Sequence, residues 1–315
     1  LPTLSEYAKL ANDEVIAGIY ENIITHNELM PLLQFKSFSG NALAYRRENA
    51  LPTSSTHAVG DTWADSEPTF TTKSAELKIV GVQSPLDRYA MQTRNNVQSQ
   101  EAVLLSRMSK SLARKIEQLI ITGEPSSAAN EFEGLDSLIR SETRMMAMDD
   151  GVVDGPGTAE TELTLYRLDA MIDQIEGGKP DALIMNKTMR RKLSALARAT
   201  GSGVILNSAD MFGHQYMMYN GIPVVINDFI TNAETYDDAG TWPSSTATTI
   251  FAVHFGEEKQ GYTIIHNGDV LSPDIQRLGT KFDKNEDVYR LVVYIQALTW
   301  SAKHVSALGG IDSAA

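Results

Sequence analysis

The sequence predicts an α+β fold organised around one long helix, one long β-hairpin and a block of alternating helices and strands. Three observations carry this. Residues 95–123 place apolar side chains at spacings of three and four, the mark of an amphipathic helix. Residues 46–70, "RRENALPTSSTHAVGDTWADSEPTF", are polar and turn-rich, and strand-like segments flank them on both sides. From residue 160 onward helical and strand patterns alternate, ending in the long apolar strand "DVYRLVVYIQALTW".

At the start, Leu4, Tyr7, Ala11, Val15, Ile19 and Ile23 form one stripe, so residues 4–24 read as an amphipathic helix. Pro31 disfavours its continuation. Residues 1–35 are therefore expected to be an arm that packs on something else. A chain that starts at Leu1 and not at methionine is expected to have been trimmed.

The hairpin follows. On its return side, "TTKSAELKIVGVQ" alternates, with Ala75, Leu77 and Ile79 on one face and Ser74, Glu76 and Lys78 on the other. The outgoing side, "GNALAYRREN", is similar and shorter. Two such strands project about 30 Å at roughly 3.3 Å per residue. A bare ribbon is marginal in water, and loops beyond about 12–15 residues are uncommon without function. A long surface loop is the plainer reading; the sharper one is a ribbon that lies on a neighbouring subunit, where Trp63 and Phe70, in an otherwise polar stretch, fit anchors.

In the long helix Val97, Leu104, Leu105, Met108, Leu112, Ile116, Leu119 and Ile120 make the apolar stripe, and Gly123 is placed for a left-handed C-terminal cap. Arg107, Lys110, Arg114 and Lys115 lie on the other side; a solvated charged face is the simpler reading than a nucleic-acid contact. Residues 141–160 read as a boundary loop. Beyond it come a helix "ELTLYRLDAMIDQI", a strand "DALIMN", and a helix "KTMRRKLSALARA" capped by Asn186. The strands "IPVVIND", "IFAVHFG" and "YTIIHNG" follow, and the last long strand is expected to return beside the long helix, making that domain discontinuous.

Composition limits the chemistry. The 315 residues are 42% hydrophobic, enough for a sizeable core. With no cysteine there is no thiolate nucleophile or Cys-ligated zinc. Forty acidic against 27 basic residues give a net charge of −13, which argues against a dedicated phosphate-backbone binder. No apolar run approaches the roughly 18–20 residues that span a bilayer. The histidines His26, His57, His214, His254, His266 and His304 are scattered without ligand spacing. Nucleophile-elbow and phosphate-loop motifs are absent; "GSGVIL" follows a helix and reads as a turn, and "DDGVVDGPG" and "YDDAG" do not match a calcium loop. No catalytic residue, cofactor or metal is expected.

The order of these elements is what resembles a known family. "SFSGNALAYRREN" opens the hairpin, "NKTMRRKLSALA" and "YMMYNGIPVVINDFI" sit in the middle block, and "IFAVHFGEEKQGYTIIHNGDV" and "DVYRLVVYIQALTWSAKHVSALGGI" close the pattern. Together they resemble the major capsid protein of tailed bacteriophages, the Hong Kong 97-type coat fold, over nearly the whole chain. The resemblance implies an N-terminal arm (1–35), an extended loop (36–82), a peripheral domain with a spine helix (83–150), an axial domain (151–267), and a return strand with the C-terminal part of the peripheral domain (268–315). It implies that the extended loop lies over a neighbouring subunit, with Arg46, Arg47, Trp63 and Phe70 at that interface. Its partners would be further copies in rings of five and six, together with scaffolding, maturation protease, portal and decoration proteins. The shell would enclose double-stranded DNA without sequence-specific contact and without a membrane. The location implied is the virion, after assembly in the host cytoplasm. Removal of a scaffolding segment would account for Leu1, as would plain loss of the initiator.

Some family members join the loop to a neighbour through a Lys–Asn isopeptide bond. Residues 46–70 contain no lysine, and Lys36 and Lys73 lie toward the hairpin base, so that feature does not carry over. The same fold also serves encapsulin-type bacterial nanocompartments, the alternative reading, in which residues 4–24 would anchor to the shell. An α/β enzyme is the reading from another class; it would show a cleft gathering titratable groups.

Overall fold

The computed structural model describes residues 29, 31–89, 92, 100–148, 151, 161–199, 207–211, 214–234, 247–267 and 274–314. The expected helix over 4–24, Val97, His26, the "GSGVIL" turn and most of the loop over 149–160 lie outside the described residues, as does "YDDAG".

A 14-residue strand, β13 (Glu286–Thr299), is the spine of a five-stranded sheet. Along one edge it pairs antiparallel with β4 (Lys78–Asp87), from Glu286 opposite Asp87 to Ile295 opposite Lys78. Its other edge is shared by β12 (Asp274–Thr280) and β11 (Tyr262–His266), and β1 (Phe35–Ser37) runs parallel to β11. The helix α1 (Gln100–Thr122) lies on this sheet: Leu105, Met108, Leu112, Ile116 and Ile120 share one core with Tyr289, Leu291 and Ile295. At 1.5 Å per residue it is roughly 35 Å long.

The second sheet has seven strands in the order β5 (Met145–Ala147), β14 (Val305–Asp312), β10 (Ala247–Val253), β6 (Ala182–Met185), β9 (Ile222–Ile226), β8 (His214–Tyr219), β7 (Asn207–Met211). Its inner strands β10, β6 and β9 are buried along nearly their whole length because both faces are covered. Leu183, Met185, Ile250 and Leu308 face a core with Leu168 and Met171 of α3 (Leu165–Asp173) and Met189 and Leu193 of α4 (Lys187–Ala199). The alternate residues Ile184, Phe251 and Ala307 join the core that holds α1. One hydrophobic core therefore spans both sheets.

Asn186 caps α4 as expected: its Oδ1 accepts from the Met189 N–H at 2.8 Å, and its Nδ2 donates to Thr248 Oγ1 at 2.8 Å. Elsewhere the structure corrects the sequence reading. The stretch 71–83 is two strands, β3 (Thr69–Glu76) and β4, broken at Leu77, so the alternation changes phase there. Ile79 ends on the outer face, 68% exposed, while Val80 is buried. Gly123 does not adopt a positive φ. It is bare because the chain crosses itself: a Cβ would stand 2.3 Å from the Phe132 carbonyl oxygen, and Gly134 N–H donates to the Gly123 carbonyl at 2.7 Å. That crossing starts α2 (Leu135–Ser141), which the apolar pattern did not predict. Within the expected boundary loop, Met145, Met146 and Ala147 are buried and form β5, parallel to β14.

Sheet membership also cuts across a sequential partition. β11, counted with the middle block, pairs with β13, and β14, counted with the return strand, lies inside the seven-stranded sheet. The chain passes between sheets at 254–261 and again at 300–304. Asp181 stitches the first crossing by accepting from the Phe255 N–H at 3.0 Å and from Lys259 and His254. Burial alone would raise this carboxyl; those donors outweigh it and hold Asp181 below the usual range.

Candidate subunit interface

The hairpin is a third, two-stranded sheet of β2 (Ala42–Ala50) and β3, in register from Ala42 opposite Glu76 to Arg47 opposite Thr71. Every second residue faces back onto the same chain. Leu43, Tyr45 and Ala75 pack with Ile265, Leu298, Phe38, Leu77 and Trp300, a small cluster separate from the main core. The Tyr45 ring meets Trp300 edge-on with centroids 5.3 Å apart, and its hydroxyl donates to the Thr299 carbonyl at 3.2 Å. Burial raises the Tyr45 phenol, with the Arg47 guanidinium acting against it.

Arg47 ties this root down. Its Nε donates to the Trp300 carbonyl at 2.8 Å, Nη2 reaches the Thr299 carbonyl, and Nη1 pairs with Glu142 at 2.6 Å. Both side chains of that pair are nearly covered, at 11% and 12% exposure, and Lys73 adds a second cation 3.4 Å from the same carboxylate. Lys36 pairs with Glu257 at 2.6 Å and stands 5.0 Å over the Trp300 ring. The root is therefore a rigid joint of charge-assisted hydrogen bonds and aromatic contact.

Past Arg47 the support ends. Register slips between Glu48 and Ala50, and residues 51–68 form no strand. They are ordered by local bonds: the Thr53 N–H donates to Ser66 Oγ at 2.8 Å, the Ala58 N–H donates to Asp61 at 2.6 Å, and the His57 ring tilts over Trp63 at 4.0 Å. Large apolar side chains here face solvent: Leu51, Val59, Trp63 at 73% and Phe70 at 62%. Asp61, Asp65 and Glu67 are exposed beside them, with no Lys or Arg between Arg47 and Lys73.

Of the four residues singled out from sequence, Trp63 and Phe70 are thus presented outward, Arg46 is exposed on the same ribbon face as Phe70, and Arg47 is engaged within its own chain. The period-2 pattern of Leu43, Tyr45 and Arg47 was the signal for the root. Nothing in the sequence pointed to Glu142 or Trp300, which come from distant segments. Among the described residues no cluster of His, Asp and Glu could hold a metal ion, and no helix is long and apolar enough to cross a membrane.

With this geometry the chain is similar in fold to several shell-forming proteins. A holo-SrpI encapsulin complex from Synechococcus elongatus PCC 7942 aligns at a TM-score of 0.67 with 14% identity, over 93% of this chain and 90% of that one. The capsid of a native GTA particle aligns at 0.63 with 13% identity, over 90% and 89%. The structure of Microbacterium phage Oxtober96 aligns at 0.59 with 12% identity, over 89% of each chain. At these identities the likeness establishes the fold: the Hong Kong 97-type coat architecture, common to phage capsids and encapsulins. No curated protein sequence matches the chain. The phage capsid family model, by contrast, matches residues 8–293, most of the sequence, so the chain belongs to the phage capsid family, as a major capsid protein of the virion.

Proposed function

We propose that this capsid protein builds an icosahedral shell around the double-stranded DNA of a tailed bacteriophage, using the hairpin as the strap that each subunit lays over a neighbour. The observation that carries this is the contrast within the hairpin. Its root is fixed by Arg47, Glu142, Tyr45 and Trp300, while its tip holds Trp63, Phe70, Leu51 and Val59 largely open to solvent, with His57 against the Trp63 ring as the local support. Exposed apolar side chains on a stiff projection are the signature of a surface that is buried on association.

On this reading the five-stranded sheet with α1 is the peripheral part, and the seven-stranded sheet with α3 and α4 is the axial part whose loops gather around five-fold and six-fold centres. Arg46, Trp63 and Phe70 contact the neighbour, and Arg47 aims the strap. The subunit does no catalysis; its work is geometric, the repetition of heterologous contacts until they close. Assembly takes place in the host cytoplasm, with scaffolding, protease, portal and decoration proteins as partners. The absence of lysine from the tip favours non-covalent locking.

Light scattering with electron microscopy on the purified chain tests this. Closed shells, or rings of five and six, are the expected result, and particles that enclose nucleic acid rather than protein cargo separate a phage shell from a nanocompartment. A chain that stays monomeric with crowding agents and co-expressed scaffold would overturn it.

A further inference from the structure

The outer face of the five-stranded sheet carries a depression of about 470 Å³, within the roughly 300–1,000 Å³ range that receives small organic groups. We propose that this notch is the seat for the hairpin tip of a second copy, with the Trp63 side chain resting on Gly81 and Val292. The inference rests on the strap reading above and names the surface that the strap finds.

The notch is cut by a glycine. Gly81 stands opposite Val292 in the β4–β13 ladder, and a Cβ there would lie 2.8 Å from the Leu291 carbonyl oxygen, so the backbone forbids a side chain at the floor. Ile79 and Tyr294, cross-strand partners, form one wall. Gln83 and Arg290 form the other, with Arg290 Nε and Nη2 donating to Gln83 Oε1 at 3.0 and 2.7 Å. That pairing fixes the guanidinium and leaves its other N–H groups for a carboxylate. The result is an apolar floor with the Arg290 cation on one rim; across β13, Gln276 closes the far side and engages the Asp274 carboxylate by donating its amide to it at 2.6 Å. An aromatic ring flanked by acids matches it, and the tip supplies Trp63 between Asp61 and Asp65.

A chain cannot fill its own notch. β4 begins two residues after β3 ends, and β3 runs eight residues away from it, about 26 Å at 3.3 Å per residue, before the tip starts. With the root held by Arg47, the ribbon cannot fold back, so the occupant is a second copy. The contact is heterologous, tip to notch, which is the kind that closes into rings. A rival seat is the α1 stripe of Arg107, Lys110 and Arg114, which are exposed and without a partner among the described residues. It matches the tip in charge but gives Trp63 no apolar ground.

The absence of cysteine makes the test clean. Trp63→Cys with Ile79→Cys in one chain is assembled, oxidised and run on a non-reducing gel, beside Trp63→Cys with Arg114→Cys and each single variant. These positions are exposed, so the variants are expected to fold like the parent, which a thermal melt checks. A ladder of covalent oligomers from the first pair alone is the expected result, since a bridge needs Cα atoms within about 7 Å. Particles that form normally but ladder through residue 114, or through neither pair, would overturn the notch and leave the shell reading standing. Absence of any particles from the parent chain would overturn both. Independently, Ile79→Glu is expected to slow assembly about tenfold without moving the unfolding midpoint, the size of one interface anchor.

Discussion

Replacing Glu142 isolates what the hairpin root contributes. Glu142→Ala leaves the nearly covered Arg47 guanidinium with only the Trp300 and Thr299 carbonyls, and losing such a charge-assisted bond costs on the order of 2–3 kcal/mol. A urea titration of the isolated subunit should show that loss, whereas Trp63→Ala should stay within about 0.5 kcal/mol because its side chain touches little of its own chain. Equal effects would make Trp63 an ordinary packing residue. Glu234 gives a second handle. Burial pushes its carboxyl up to about 8, against the Thr249 hydroxyl that donates to it. The folded state then holds a proton that the unfolded chain releases near pH 4.3, so between those values the folded state binds more protons and stability falls as pH rises. Above about pH 8 the effect is complete. Glu234→Gln imitates the protonated form, so unfolding free energies at pH 5 and pH 8 should differ less in the variant than in the parent.

The hairpin, as an element, should respond to assembly and not to folding. Trypsin has no site between Arg47 and Lys73, so chymotrypsin is the useful probe, and Trp63 offers it an exposed bond in the tip. Cleavage there is expected to be fast in free subunits and suppressed in particles; equal rates would mean that the tip is never covered. Deleting residues 48–68 should leave the melting temperature within a few degrees and abolish stable shells. The elements were unevenly legible from sequence. α4 and its Asn186 cap were readable because both signals are local, a 3.6-residue period and a side chain bonding three residues on. The break at Leu77 was not, because β3 and β4 share one continuous alternating pattern while their partners, β2 and β13, lie more than 200 residues apart. Gly123 was assigned a left-handed cap that it does not adopt: the chain segment crossing at Phe132 is invisible to a local rule. Trp63 and Phe70 stood out by being apolar in polar surroundings, but the notch floored by Gly81, proposed above as the seat of Trp63, needed the sheet before it could be considered.

For the whole molecule, the shared core predicts cooperative unfolding. Ile184, Phe251 and Ala307 of the seven-stranded sheet pack in the same cluster as Leu112 of α1 and Leu291 of β13. Tryptophan fluorescence, to which Trp300 at the root contributes, and far-ultraviolet dichroism should therefore give coincident denaturation curves with one transition. Separated midpoints would show that the two sheets unfold independently. The position of β14 has a further consequence, in time rather than space. Among the described residues it comes last in chain order of this sheet's strands, yet it lies between β5 and β10 and joins them. While a ribosome is still making residues 305–312, the seven-stranded sheet stands open with β5 detached, and folding by domains during synthesis cannot finish it. Completion of this layer is deferred until translation has passed its final strand, so nascent chains crowded on one messenger would be held back from joining one another too early.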